Sequence, residues 1–149
     1  MKPMNMHGKN PANLNKGVIM VGETNLIKLL QSMSPQLMPE QYVFCCVQGG
    51  FADYQNLSPL AMFRETEGLT LVVTKAQAES NGFAFESVFS GITLTVHSSL
   101  DAVGLTAAVA TKLAEYDISA NVIAAYYHDH IFVQTDKAEL AMKALKEFN

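Results

Sequence analysis

The sequence predicts an α+β fold made of two ferredoxin-like halves, and three observations carry that expectation. Short apolar runs, several alternating with polar residues, recur along the chain between Gly, Pro and Asn breaks. Between them lie segments with apolar residues at helical spacing. Finally, Leu69-Thr70-Leu71-Val72-Val73-Thr74, followed by a capped helix, is echoed by His130-Ile131-Phe132-Val133-Gln134-Thr135, followed by another. Each half then reads strand, helix, strand, strand, helix, a split βαβ unit short of its last strand. A vacant strand position leaves an open edge, so antiparallel sheets with strand exchange between the halves, or pairing between chains, are expected. One irregular α+β domain with chance similarity is the alternative.

The elements follow in order. Residues 1–16 are rich in Met, Asn, Lys and Pro without periodicity and read as a mobile extension. The first half spans 17–85. It opens on the short apolar run Val18-Ile19-Met20-Val21. Thr24 reads as an N-cap, with Leu26, Leu29, Leu30 and Met33 at helical spacing until Ser34-Pro35 stops the helix. Tyr42 to Val47 reads as a buried strand broken by Gln48-Gly49-Gly50. Residues 60–66 and 69–74 read as strands paired about Glu67-Gly68. Thr74 with Gln77 fits a capping box for a helix that ends near Asn81-Gly82.

The second half spans 86–149. Ile92, Leu94 and Val96 alternate with Thr93, Thr95 and His97, the pattern of a strand with one buried face. After Asp101, the residues Leu105, Val109, Leu113 and Tyr116 form one stripe of a helix lying on a sheet. Residues 122–126 and 130–134 make the next strand pair. Asp136 with Glu139 is expected to cap a last helix that turns Leu140, Ala141, Ala144, Leu145 and Phe148 inward.

Composition excludes several classes of function. Nearly half of the 149 residues are apolar and 16% are charged, enough for a substantial core. A net charge of −4 lacks the basic excess of a nucleic-acid binder. No apolar run reaches the roughly 18 residues of a membrane helix, and no leader is expected at the start. Cys45 and Cys46 are neighbours in a strand and point to opposite faces, so no bridge is expected between them. Two unpaired thiols fit a reducing compartment, the cytoplasm.

Two motifs carry candidate chemistry. In His97-Ser98-Ser99-Leu100-Asp101-Ala102-Val103-Gly104-Leu105 a strand end runs through small polar residues into a helix start. Ser98, Ser99 and Asp101 are each able to cap that helix. Gly104 inside a first turn costs about 1 kcal/mol relative to Ala. A glycine there admits close approach by another helix or by a ligand, and free N–H groups at a helix start attract a carboxylate. In Tyr127-His128-Asp129-His130, Asp129 either caps its own turn or meets a ligand. His128 and His130 share a strand face, and with His97 they would make a metal site or a metal-dependent enzyme. No metalloenzyme motif, G-x-S-x-G elbow or phosphate loop accompanies them, so no catalysis and no cofactor are expected.

The chain resembles the ACT-domain proteins, specifically a small bacterial family of tandem ACT-like proteins of unknown function. The resemblance runs over about 22–148. It rests on Leu29-Leu30 through Met33-Ser34-Pro35, on Tyr42-Val43-Phe44, on Phe63-Arg64-Glu65-Thr66-Glu67-Gly68-Leu69-Thr70, on the 97–107 stretch, and on Asn121-Val122-Ile123-Ala124 with Tyr127-His128-Asp129-His130. It implies βαββαβ units that pair side by side and bind amino acids where they meet. The organisation is similar to that of the animal cytosolic arginine sensor and of aspartate kinase regulatory domains. By position, the ligand-holding loop of those proteins corresponds to residues 98–105. Asp129 stands where the arginine-sensor pattern Tyr-x-Thr-Asp has its Asp, and His128 replaces the Thr, so the ligand need not be arginine. The resemblance thus implicates Ser98, Ser99, Asp101, Val103, Gly104, Leu105, His128 and Asp129. The ligand's carboxylate would lie on the amides near Val103 and Gly104, with Ser98 or Ser99 donating, and its ammonium would meet backbone carbonyls, with Asp129 as a further contact. What is expected is a non-catalytic, amino-acid-binding regulatory protein, a homodimer with no nucleic-acid or membrane partner. A ligand-free module that docks a partner enzyme is the alternative.

Overall fold

The computed structural model describes residue 22 and residues 25–149. Their order is α1 (Leu26–Ser32), β1 (Pro35–Val47), β2 (Ala61–Arg64), β3 (Leu69–Thr74), α2 (Lys75–Asn81), β4 (Phe89–Leu94), α3 (Leu105–Glu115), β5 (Asn121–Ala124), β6 (Asp129–Gln134) and α4 (Ala138–Lys146). The expected extension over 1–16, the apolar run at 18–21 and the Thr24 cap lie outside the described residues.

Local chemistry explains several boundaries. Thr74 accepts from the Gln77 N–H (3.1 Å) while the Gln77 side chain accepts from the Thr74 N–H (3.0 Å), the reciprocal capping box expected for α2. Gly82, at φ +67°, closes that helix in the left-handed conformation. The N-cap of α1 is Asn25, whose side chain accepts from the Lys28 N–H.

Four local expectations are corrected. Strand β1 starts at Pro35 rather than Tyr42. Helix α3 starts at Leu105, so Gly104 is its N-cap and none of Ser98, Ser99 and Asp101 caps it. Asp136 caps nothing, because a 3-10 turn over Thr135–Lys137 leads into α4, whose N-cap Lys137 makes no side-chain cap bond. Leu140 is exposed rather than inward, while Ala141, Ala144 and Leu145 are fully buried.

The strands form one six-stranded sheet in the order β2-β3-β1-β4-β6-β5, every pairing being antiparallel. This refines the expectation of separate sheets in the two halves. The strand missing beside β4 in the set β4-β6-β5 is supplied by β1, and the strand missing beside β1 in the set β2-β3-β1 is supplied by β4. Each half completes the other's sheet.

Directly paired residues of an antiparallel sheet share a face. Val43, Val73, Ile92, Ile131 and Val133 therefore point the same way, and α1, α3 and α4 cover one part of that face while α2 covers the other. No described helix covers the opposite face. An aromatic stripe runs across it: Phe132 meets Tyr42 (5.9 Å between centroids) and Phe44 (5.5 Å), and Phe44 meets Phe89 (5.4 Å), all edge-to-face. Each such pair contributes about 0.5–1.5 kcal/mol beyond the area it buries. As the strand pattern requires, Cys45 is buried and Cys46 exposed, and both thiols are free.

Candidate functional site

The connection from β4 to α3 leaves the sheet at Thr95 and descends through tight turns. The Ser98 N–H donates to the Val96 carbonyl (3.0 Å) and the Ala102 N–H to the Ser99 carbonyl (2.9 Å). The Ser99 hydroxyl accepts from the Asp101 N–H (3.2 Å), so its local role is to shape this loop rather than to cap the helix. Gly104 then takes φ +102°, a conformation that L side chains rarely adopt. A Cβ there would also stand 3.0 Å from Leu26 of α1. Glycine at this position answers both to backbone geometry and to helix packing. The first intrahelical bond runs from the Ala108 N–H to the Gly104 carbonyl (2.9 Å). The N–H groups of residues 105–107 precede it and have no acceptor within the helix.

The facing turn joins β5 to β6, closed by the Ala125 N–H donating to the His128 carbonyl (3.1 Å). Asp129 follows, paired on one side with Leu94 and on the other with Ala124. Its side chain lies on the helix-covered face with Ile131 and Val133, and only 8% of the residue is exposed. Among the described residues no hydrogen bond reaches its carboxylate. Burial pushes its pKa up from the ordinary carboxylate value, and His130 and His128 offset part of that shift. Ser98 is as buried as Asp129, and its hydroxyl also has no partner among the described residues.

These groups converge. Ser98, Ser99, Leu105 and Asp129 line one cavity of about 70 Å³ together with Leu100, Ala102, Thr106 and Ala124. Of the residues that the sequence singled out, Asp101, Val103, Gly104 and His128 do not line it. Val103 is 85% exposed, and the His128 ring faces the Val96 carbonyl at 3.4 Å. Sequence reasoning missed Ala124, which the β5–β6 register places beside Asp129, and Thr106, on the first turn of α3. It also missed Gly22, whose Cβ, if present, would stand 2.5 Å from the Ser99 nitrogen. Backbone lies against backbone there, which only glycine permits.

The three imidazoles do not assemble. His130 lies on the opposite sheet face from Asp129, 3.1 Å from the Thr93 hydroxyl, and burial lowers its pKa. His97 packs on the Tyr127 ring, 4.9 Å between centroids. Among the described residues no group of three or more His, Cys, Asp or Glu is placed to hold a metal, so His97, His128 and His130 form no such site.

Comparison with known proteins matches this arrangement. The ACT-domain pattern fits the chain twice, over residues 21–90 and 86–147. No match was found among curated proteins. One similar crystal structure is a protein of unknown function from Vibrio cholerae, described as a possible transport protein. It is 63% identical over 83% of this chain and 94% of its own, with a TM-score of 0.77. The ligand-free regulatory subunit of aspartate kinase from Thermus thermophilus shares the fold at 11% identity, covering 80% of this chain and 98% of its own, with a TM-score of 0.60. A putative C-terminal regulatory domain of aspartate kinase from Porphyromonas gingivalis does so at 10% identity, over 78% and 96%, with a TM-score of 0.56. Two overlapping family matches and one continuous sheet place this chain in the ACT-domain family, as a tandem pair of ACT domains.

Proposed function

We propose that this ACT tandem binds a small α-amino acid at the α3 start and acts by binding rather than by turnover. ACT domains are regulatory, ligand-binding modules, and that broad role is the frame for the finer reading. The observation that carries it is Asp129, a buried carboxylate with no hydrogen bond among the described residues, facing a cavity beside a helix N-terminus. No polar side-chain atom of the described residues is both fully buried and without a partner, so the carboxylate opens onto the cavity, where an α-ammonium is the matching partner. The amides at the start of α3 and the Ser98 hydroxyl offer the complementary donors for an α-carboxylate. A cavity of about 70 Å³ has room for the charged head of an amino acid. Leu100 is exposed, lines the cavity and would meet the remainder.

Binding at one end of β4 would bias how the two halves, or two chains of a homodimer, sit against each other, and a partner would read that change. Free thiols on β1 support a reducing compartment such as the cytoplasm. Thermal-shift screening of the twenty amino acids tests the reading. A true ligand at a hundred times its Kd should add about 2.7 kcal/mol of stability. Asp129→Asn should erase that response. If no amino acid at millimolar concentration shifts the wild type, the proposal fails.

A further inference from the structure

The 13 residues of β1 outrun the 6 of β4. Their register ends at Tyr42 opposite Phe89, so residues 43–47 pair with β3 alone. Which of their backbone groups are left over follows from the neighbouring hairpin. The Gly68 carbonyl accepts from the Glu65 N–H (2.9 Å) and the Val72 carbonyl from the Leu60 N–H (2.8 Å), both on the β2 side. In an antiparallel strand the N–H and C=O of one residue point the same way, and successive residues alternate. Leu69, Leu71 and Val73 therefore turn theirs toward Val47, Cys45 and Val43 of β1. Phe44 and Cys46 must turn theirs away from β3, and no backbone hydrogen bond from residues 83–88 meets them. Two donor–acceptor pairs, about 6.8 Å apart along the strand, face outward.

They face a cavity of about 500 Å³, lined by Phe44, Cys46, Phe85, Glu86, Phe89 and Asn121 among others. That volume is ordinary for a recognition pocket, and three of its walls are phenylalanine rings. Glu86 is exposed and makes no ion pair among the described residues. Among the described residues, a strand edge without a backbone partner, an aromatic cavity and a carboxylate without an ion pair occur together at the end of β4 remote from Asp129, which is paired with Leu94 at the other end.

We propose that this notch takes an extended segment of another protein. Its main chain pairs with Phe44 and Cys46, one large apolar side chain fills the cavity, and a lysine or arginine sits against Glu86. The chain's net charge of −4 favours such a basic partner. The chain's own apolar and basic edge, Phe63 and Arg64 on β2, lies at the outer end of the same sheet. Seating it in a second copy would give a head-to-tail contact rather than a twofold one, which argues for a different protein. The inference goes beyond the amino-acid reading and does not depend on it.

Dye-labelled peptides test it by fluorescence anisotropy on the full chain. The peptide KVFVK should bind, EVFVE should bind at least tenfold more weakly, and an N-methylated KVFVK should not bind, because it cannot donate to the strand edge. Glu86→Lys, an exposed substitution, should reverse the preference between the two charged peptides. Asp129→Asn should leave peptide binding unchanged, which separates this site from the amino-acid site. No binding of KVFVK, equal binding of all three peptides, or indifference to Glu86→Lys overturns the proposal. So does concentration-dependent self-association that KVFVK dissolves, since the occupant would then be a second copy.

Discussion

Strands β3 and β6 occupy equivalent places in the two halves, 60 residues apart, and they differ at one telling position. Each follows a turn closed in the same way, Glu65 to Gly68 in the first half and Ala125 to His128 in the second. Each buries the same positions, with its first, third, fourth and fifth residues inside. At the first position β3 carries Leu69, 2% exposed, and β6 carries Asp129, 8% exposed. The connections differ too. Residues 51–57 of the first half make only two 3-10 turns, whereas the second half has the serine-bearing loop, Gly104 and the 11-residue α3. One scaffold closes its sheet end with a leucine. The other leaves a carboxylate, a cavity and a helix N-terminus there, which is why the proposed amino-acid site is placed in the second half.

Exchanging these residues is the strongest way to break that contrast. Leu69→Asp puts a charge into the apolar cluster that holds Val43, Leu71 and Val73. It should cost about 3–5 kcal/mol, seen as a lower urea midpoint. Asp129→Leu makes the second half like the first. It should stabilise the unliganded protein by about 1 kcal/mol, since a partly desolvated carboxylate gives way to an apolar side chain on the helix-covered face, and abolish any amino-acid response in thermal shift. A loss of stability on Asp129→Leu would mean that the carboxylate is already satisfied.

The same carboxylate gives the second half a pH signature. Its folded pKa is raised above the ordinary value of 3.8. Between the two values the folded chain holds a proton that the unfolded chain has released. Its contribution to stability is therefore full below about pH 3.8 and is lost as pH rises through the raised value. Urea titrations of wild type and Asp129→Asn should differ by a term that falls with rising pH across that window. A difference that grows with pH would reverse the sign and refute the desolvation of this carboxylate.

The smallest contrast lies in the helices that follow the two strands. Thr74→Ala removes a working cap and should cost about 1 kcal/mol. Asp136→Ala, at the corresponding bend, should stay within about 0.5 kcal/mol, because Asp136 caps nothing. Equal losses in denaturant melts would show that the 3-10 turn before α4 depends on Asp136 after all.

Much of this was legible in the chain. Strand β3, helix α2 with its Thr74–Gln77 box and Gly82 end, and the opposite faces of Cys45 and Cys46 follow from local rules, because propensity, capping and the two-residue strand period act between near neighbours. The repeat was legible as well, but aligned one residue out, with Leu69 set against His130. In a strand a one-residue slip turns every side chain to the other face, and only the turn bonds set Leu69 against Asp129.

Ser98, Ser99, Leu105 and Asp129 were visible as polar or helix-start positions, but the cavity that joins them was not. It forms where β5, β6 and the α3 start meet, at sequence separations that no local pattern encodes. For the same reason the three histidines looked like one cluster in sequence and dispersed in space. The sequence by itself determined the element types and the paired halves, since those depend on periodicity and turn chemistry. Tertiary structure alone decided that β1 and β4 complete each other's sheets, that Asp129 is buried beside a helix start, and that β1 outruns its neighbour to leave an open edge. Each of these depends on which distant backbone groups find partners, a matter of register and packing across the whole sheet.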